Sequence, residues 1–137
     1  MFNLALFFHI AGLIIGLGAV TVIDFLGFTS RKSKELTQVT IHAHHVTKPL
    51  IWIGTILIFI SWLFLYNGSL ISNIKSFLLI IMVLNGIFLS FYISPRLNKL
   101  IGKKELLPMP LQIKITISMI ISFLCWWTFV ILTVLSL

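Results

Sequence analysis

Four long apolar runs limit what this chain can fold into more than any other feature of its sequence. Only helices and closed barrels satisfy every backbone polar group in lipid, and long runs without two-residue alternation are typical of helices. Each run has about the 20 mostly apolar residues that a helix needs to cross a bilayer. The sequence therefore predicts an all-α bundle of four transmembrane helices, forming one integral membrane domain over residues 1–137. The runs cover residues 3–28, 49–66, 76–94 and 115–137.

The composition excludes a water-soluble globular domain. Charged residues make up only 9% of the chain and hydrophobic residues 59%, whereas soluble domains contain about 25% charged residues. The chain has a net charge of +7, and almost all of its charged residues lie between the apolar runs. This placement argues against nucleic acid as a partner and favours the lipid bilayer, with anionic headgroups at the basic segments.

The basic residues are distributed unequally among the segments that join the runs. Residues 29–48 contain four Lys or Arg and residues 95–114 contain five, including Lys104, whereas residues 67–75 contain only Lys75. Basic loops tend to stay in the cytoplasm. We therefore predict two basic cytoplasmic loops, both termini outside, and a location in a prokaryotic cytoplasmic (inner) membrane.

The first run carries polar residues on a predicted buried face. His9, Gly12 and Gly16 recur at spacings of three and four, and Asp24 lies about 60° from His9 around the helix axis. The Gly12-x-x-x-Gly16 pair allows another helix to approach closely. His9 is a candidate haem ligand, proton carrier or interhelical hydrogen-bonding group. Asp24 is a candidate partner of a basic residue or a titrating group in a proton or substrate path.

The third and fourth runs carry weakly polar residues at helical spacing. Asn85 lies near the middle of the third run and needs a hydrogen-bond partner there. It is a candidate for an interhelical hydrogen bond, or for part of a ligand site or a translocation path. Ser118, Ser122 and Cys125 form a stripe that favours close helix packing. We expect at least one of the two adjacent tryptophans at 126–127 to be internal.

Three histidines precede the second run, whose first helical turn is predicted to contain Pro49. In a helix, His42 and His45 share a face and are candidate metal ligands, while His44 points elsewhere. A solvated polar segment and a pH-sensitive segment are the other interpretations. The far end of the first helix lies about 28 Å from His9, so His9 and this triplet cannot share one haem or metal ion.

Several segments resemble a family of small, largely uncharacterised prokaryotic four-helix membrane proteins. These segments are FHIAGLIIGLGAVTVIDFLGF (8–28), LIWIG (50–54), VLNGIFLSFYISPRL (83–97) and SFLCWWTFVIL (122–132). That family has a His, a G-x-G-A turn and a following Asp, which correspond to His9, Gly16, Gly18, Ala19 and Asp24. YISPRL (92–97) is more weakly similar to an element of membrane haem-pathway proteins of the protoporphyrinogen oxidase type.

Three functional hypotheses follow. The first is an assembly or accessory component without chemistry of its own, since the sequence contains no catalytic nucleophile–base set and no catalytic pair of carboxylates. Such a component would act as a homo-oligomer or within a larger membrane complex. The second is a haem-binding or redox protein that uses His9, with haem b as cofactor. The third is proton or small-solute translocation past His9, Asn85 and Asp24 in an oligomer.

Overall fold

A computed structural model describes residues 1–103 and 105–137, and Lys104 lies outside the described residues. Four helical stretches in this part of the chain are long and apolar enough to cross a membrane, and it contains no strand. The all-α prediction is confirmed. The helices are α1 (Phe2–Thr29), α2 (Lys34–Leu65), α3 (Leu70–Phe88), α4 (Ser94–Asn98) and α5 (Met109–Leu135).

The second helix begins far earlier than predicted. Ser33 caps α2, because its side chain accepts a hydrogen bond from the backbone N–H of Leu36 at 3.2 Å. The helix then continues without interruption through the histidine triplet, and Pro49 lies inside it. The prediction that Pro49 occupies the first turn is therefore wrong. Transmembrane helices tolerate internal proline because neighbouring groups satisfy the carbonyl that it frees.

The third and fourth predicted helices also differ from the structure at their ends. Ser69 caps α3, which begins at Leu70 rather than residue 76. At its other end α3 passes through a π-helical turn (Leu89–Ile93) into α4. α5 begins at Met109 rather than residue 115. Polar residues at the membrane edges are thus included in the helices.

Small residues allow α1 and α2 to pack closely. A Cβ atom added to Gly54 would lie 2.6 Å from the Cα of Gly16 and 2.7 Å from the carbonyl oxygen of Gly12. The predicted inner face of α1 is confirmed, since His9, Gly12, Gly16 and Val20 are all buried. α5 packs on the same region through Trp126.

Most of the buried apolar residues form two clusters, one in the middle of the bundle and one between α2, the π-helical turn, α4 and the start of α5. Trp126 is 2% exposed and Trp127 is 41% exposed, which confirms the expectation of one internal indole. The middle cluster contains Leu13, Val20, Ile58, Trp62, Leu79, Met82, Cys125, Trp126 and Phe129. The second contains Ile41, Ile93, Leu97 and Leu111.

Candidate functional site

A cavity of about 90 Å³ lies between α1, α2, the π-helical turn and α5. Asp24 from α1 and His44 and Lys48 from α2 contribute its ionisable side chains. We call it the Asp24 cavity. Its walls are otherwise mainly apolar and include Ile23, Ile41, Ile51, Ile93, Ile115 and Met119.

Two polar atoms in the Asp24 cavity lack a protein partner. The Oδ2 atom of Asp24 and the Nε2 atom of His44 are buried and form no hydrogen bond with any described residue. His44 is only 8% exposed. A buried polar atom without a partner costs about 1–3 kcal/mol. The cavity is large enough to hold water, so water or a small ligand can satisfy both atoms.

The cations that follow Asp24 in the sequence donate their hydrogen bonds elsewhere. Arg31 Nη2 donates to Thr116 Oγ1 at 2.6 Å, and Lys48 Nζ donates to Ser94 Oγ at 3.2 Å. Neither hydrogen bond leads to the carboxyl group of Asp24. Asp24 as a titrating group and Asp24 as the partner of a basic residue therefore both stay predictions.

The π-helical turn forms one wall of the cavity. Trp52 on α2 donates from its indole N–H to Ser90 Oγ at 2.9 Å. Gly86 leaves space for the indole, since a Cβ atom there would lie 3.3 Å from Trp52 Cζ2. π-helical turns occur frequently at functional sites. This turn brings the hydroxyl of Ser90 into the lining of the cavity.

A second ionisable centre lies around His9 in the other half of the bundle. His9 is fully buried, and its Nδ1 atom lies 2.9 Å from Ser61 Oγ. The Ser61 hydroxyl also lies 2.9 Å from the carbonyl oxygen of Ile58. Which of His9 and Ser61 donates depends on the tautomer of the imidazole ring. The Nε2 atom has no described partner.

Lys75 completes the His9 centre. Its side chain is 3% exposed, and Nζ lies 4.7 Å from the ring centroid of Trp62 and 5.0 Å from that of Phe129. The same two rings flank His9 at 6.0 and 5.6 Å. Cation–π attraction holds a lysine in such a place. The assignment of Lys75 to a connecting loop is wrong, because α3 begins five residues earlier.

Asn85 connects two helices and does not line the Asp24 cavity. Its Nδ2 atom donates to the Ser118 carbonyl oxygen at 3.2 Å, and the Ser118 hydroxyl donates to Asn85 Oδ1 at 2.7 Å. Ser118, Ser122 and Cys125 are all buried. The interhelical role is thus the one that the contacts of Asn85 support.

The candidate metal ligands His42 and His45 are both exposed. His42 Nδ1 donates to the carbonyl oxygen of Gln38 at 2.7 Å. Within residues 1–103 and 105–137, no three His, Cys, Asp or Glu side chains form a group that could hold a metal ion. Metal binding by His42 and His45 stays a prediction.

The three residues predicted to bind a cofactor are not brought together. His9 and Asp24 are 15 residues apart on one helix, a rise of about 22 Å. His9 is enclosed by Ser61, Trp62 and Phe129 and lines none of the main cavities of the described chain. Haem binding by His9 stays a prediction.

Sequence reasoning missed His44 and Lys75. A signal for each was present in the sequence, because each residue lies at helical spacing from other buried residues of its own helix. His44 continues the series Thr37, Ile41 and Thr47. Lys75 continues the series Ser72, Leu79 and Met82. Their polarity instead led to their assignment to the segments between the helices.

The fold and its interior define a class of protein: a small helical chain with membrane-length helices and ionisable side chains inside the bundle. The comparisons with known proteins show no family for it. No family model matches the sequence, no curated protein matches it, and no solved structure matches the fold. The resemblance to small prokaryotic four-helix proteins stays a prediction.

Proposed function

We propose that the protein transfers protons inside the membrane and that the Asp24 cavity is the site that accepts and releases them. One observation carries this proposal: Asp24 Oδ2 and His44 Nε2 are buried in the same cavity without a hydrogen-bond partner among the described residues. Carboxyl and imidazole groups are common proton carriers, and ionisable residues within membrane spans commonly mark proton relays. A cavity large enough to hold water allows proton exchange between the two groups.

The cavity has a route toward one end of the bundle. A smaller cavity of about 20 Å³ shares Gly27, Ser30 and Ile115 with it and continues to Arg31 and Thr116. These last two residues lie beyond the end of α1 and near the start of α5. One chain encloses this route, so an oligomer is not required to bring Asp24 and His44 into one cavity.

The middle of the bundle is closed in the present packing. Gly12, Gly16 and Gly54 are in close contact there, and the Trp126 indole lies against Gly16. This region separates the Asp24 cavity from the His9 centre. Proton transfer across the full bundle therefore requires a change in packing at Trp126.

We propose that both termini lie outside and that the basic connections face the cytoplasm of a prokaryotic cell. The burial of Lys75 supports this orientation, because the short connection between α2 and α3, residues 66–69, then has no cation. The opposite end carries Arg31, Lys32 and Lys34 on one side and Arg96 and Lys99 on the other. The inner-membrane location rests on the same difference in charge.

Proton flux into liposomes tests the function. The purified chain is reconstituted with pyranine inside, and a potassium diffusion potential is imposed with valinomycin. We expect Asp24→Asn and His44→Gln each to lower the flux by roughly tenfold or more, because an amide side chain neither takes up nor releases a proton in this pH range. The double variant should be no slower than the slower single variant, because both residues act on one path.

Thr21→Val is the matched control for this experiment. Thr21 is exposed, lies one turn before Asp24, and donates only to the Leu17 carbonyl oxygen of its own helix at 2.7 Å. Its flux should equal that of the unmodified chain. A flux equal to that of protein-free liposomes, or an unchanged flux in Asp24→Asn, would overturn the proposal. Uptake of methylammonium without proton flux would instead favour small-solute translocation.

A further inference from the structure

A second concave site lies on the outside of the bundle, where α4 approaches the first turns of α5. It has a volume of about 310 Å³, and we call it the Tyr92 groove. Tyr92, Arg96, Lys99 and Lys114 provide its polar groups. Its remaining walls are Leu100, Pro108, Pro110 and Leu111.

Tyr92 organises two of the three cations. Lys114 Nζ donates to the Tyr92 hydroxyl oxygen at 2.5 Å, which leaves the hydroxyl proton for another acceptor. The Arg96 guanidinium lies 3.5 Å from the Tyr92 ring centroid, and its Nη1 donates to the Tyr92 carbonyl oxygen at 2.7 Å. These contacts fix the plane of the Arg96 guanidinium. One of its five N–H donors is used in the hydrogen bond to the Tyr92 carbonyl oxygen.

The groove carries positive charge that its own lining does not balance. No Asp or Glu side chain is among its described lining residues, and Arg96, Lys99 and Lys114 are exposed. Cations this close repel one another, so an anion placed among them is attracted by all three. Guanidinium and ammonium groups are the usual ligands of a phosphate group.

The apolar walls and the position of the groove indicate the source of the phosphate. Leu100 and Leu111 line it together with two prolines, and it lies at the ends of two membrane-length helical stretches. Basic pockets between helices at this depth suit phospholipid headgroups. We infer that the Tyr92 groove binds the phosphate group of an anionic phospholipid, with the acyl chains beside the helices. This inference is independent of proton transfer.

Lipid binding to the full chain tests the inference. The protein in dodecyl maltoside is titrated with phosphatidylglycerol, and bound lipid is counted by native mass spectrometry. For Arg96→Gln/Lys114→Gln we expect a roughly 30-fold loss of affinity, which corresponds to about 1 kcal/mol for each cation removed. Tyr92→Phe should bind more weakly than the unmodified chain because it cannot donate to the phosphate.

Lys32→Gln/Lys34→Gln is the matched control, because it removes the same charge from exposed positions outside the groove. Its affinity should stay within about twofold of that of the unmodified chain. Equal losses in both double variants would overturn the inference, as would equal binding of phosphatidylcholine. Displacement of the lipid by millimolar inorganic phosphate would show a site for free phosphate and would also overturn it. Circular dichroism of each variant must match the unmodified chain.

Discussion

Replacing Gly54 by alanine should separate α1 from α2 and destabilise the whole bundle. The added Cβ would lie 2.6 Å from both the Cα and the N atom of Gly16 and 2.7 Å from the Gly12 carbonyl oxygen. All three are backbone atoms, so no side chain can rotate away. Restoring ordinary contact distances requires the helices to move apart by about 1 Å. Movement of this kind also loosens the contacts of Trp126 with Gly16.

The expected magnitude follows from two opposing effects. Overpacking costs about 3 kcal/mol where the backbone must move, and alanine gains at most about 1 kcal/mol over glycine in helix propensity. Gly54→Ala should therefore lower the free energy of unfolding by about 2 kcal/mol, the difference between the two effects. The measurement is unfolding in mixtures of SDS and dodecyl maltoside, followed by tryptophan fluorescence.

Gly18→Ala provides the control for the Gly54 variant. A Cβ atom at Gly18 would meet no atom within 4 Å, so this variant shows the propensity effect alone and should be as stable as the unmodified chain or slightly more stable. If Gly54→Ala proves as stable as Gly18→Ala, the close packing of α1 on α2 is refuted.

Two further predictions concern interior polar residues. Lys75 should resist an amine-reactive ester while exposed Lys32 and Lys99 react, because Lys75 is 3% exposed and lies between Trp62 and Phe129. Peptide mass spectrometry measures the modification of each lysine. Equal modification of the three would contradict the burial of Lys75. A double-mutant cycle with Asn85→Ala and Ser118→Ala should give a coupling free energy of about 0.6–1.7 kcal/mol, measured by unfolding in detergent, and a coupling of zero would contradict the bond between the two side chains.

The apolar runs predict the number of helices but not where they end. Hydropathy identifies the part of a helix that lies in lipid, whereas caps and backbone hydrogen bonds set its ends. α2 extends fifteen residues before Pro49 because Ser33 caps it and polar residues after Ser33 are compatible with a helix. The same distinction explains why Lys75 and Lys114 were assigned to loops although both are helical.

The inward face of α1 could be predicted because its glycines recur at helical spacing and are required for close packing. His9 is buried as predicted, whereas Asp24 is half-buried and lines a cavity. Composition alone does not separate His44 from His42 and His45. Helical spacing does, because His44 continues the buried series Thr37, Ile41 and Thr47. That signal applies only where the segment before Pro49 is helical, and the segment was assigned to a loop.

The two ionisable centres differ in how well the protein satisfies them. At the His9 centre, Ser61 forms a hydrogen bond with the imidazole and two aromatic rings contact Lys75, so one ring nitrogen alone lacks a described partner. The Asp24 cavity has two such atoms and also space beside them. Two unsatisfied atoms cost about 2–6 kcal/mol in total, a large share of the 5–15 kcal/mol that stabilises a typical domain. Such a cost is expected where protons or a ligand repay it, and for this reason we propose the Asp24 cavity rather than His9 as the functional site.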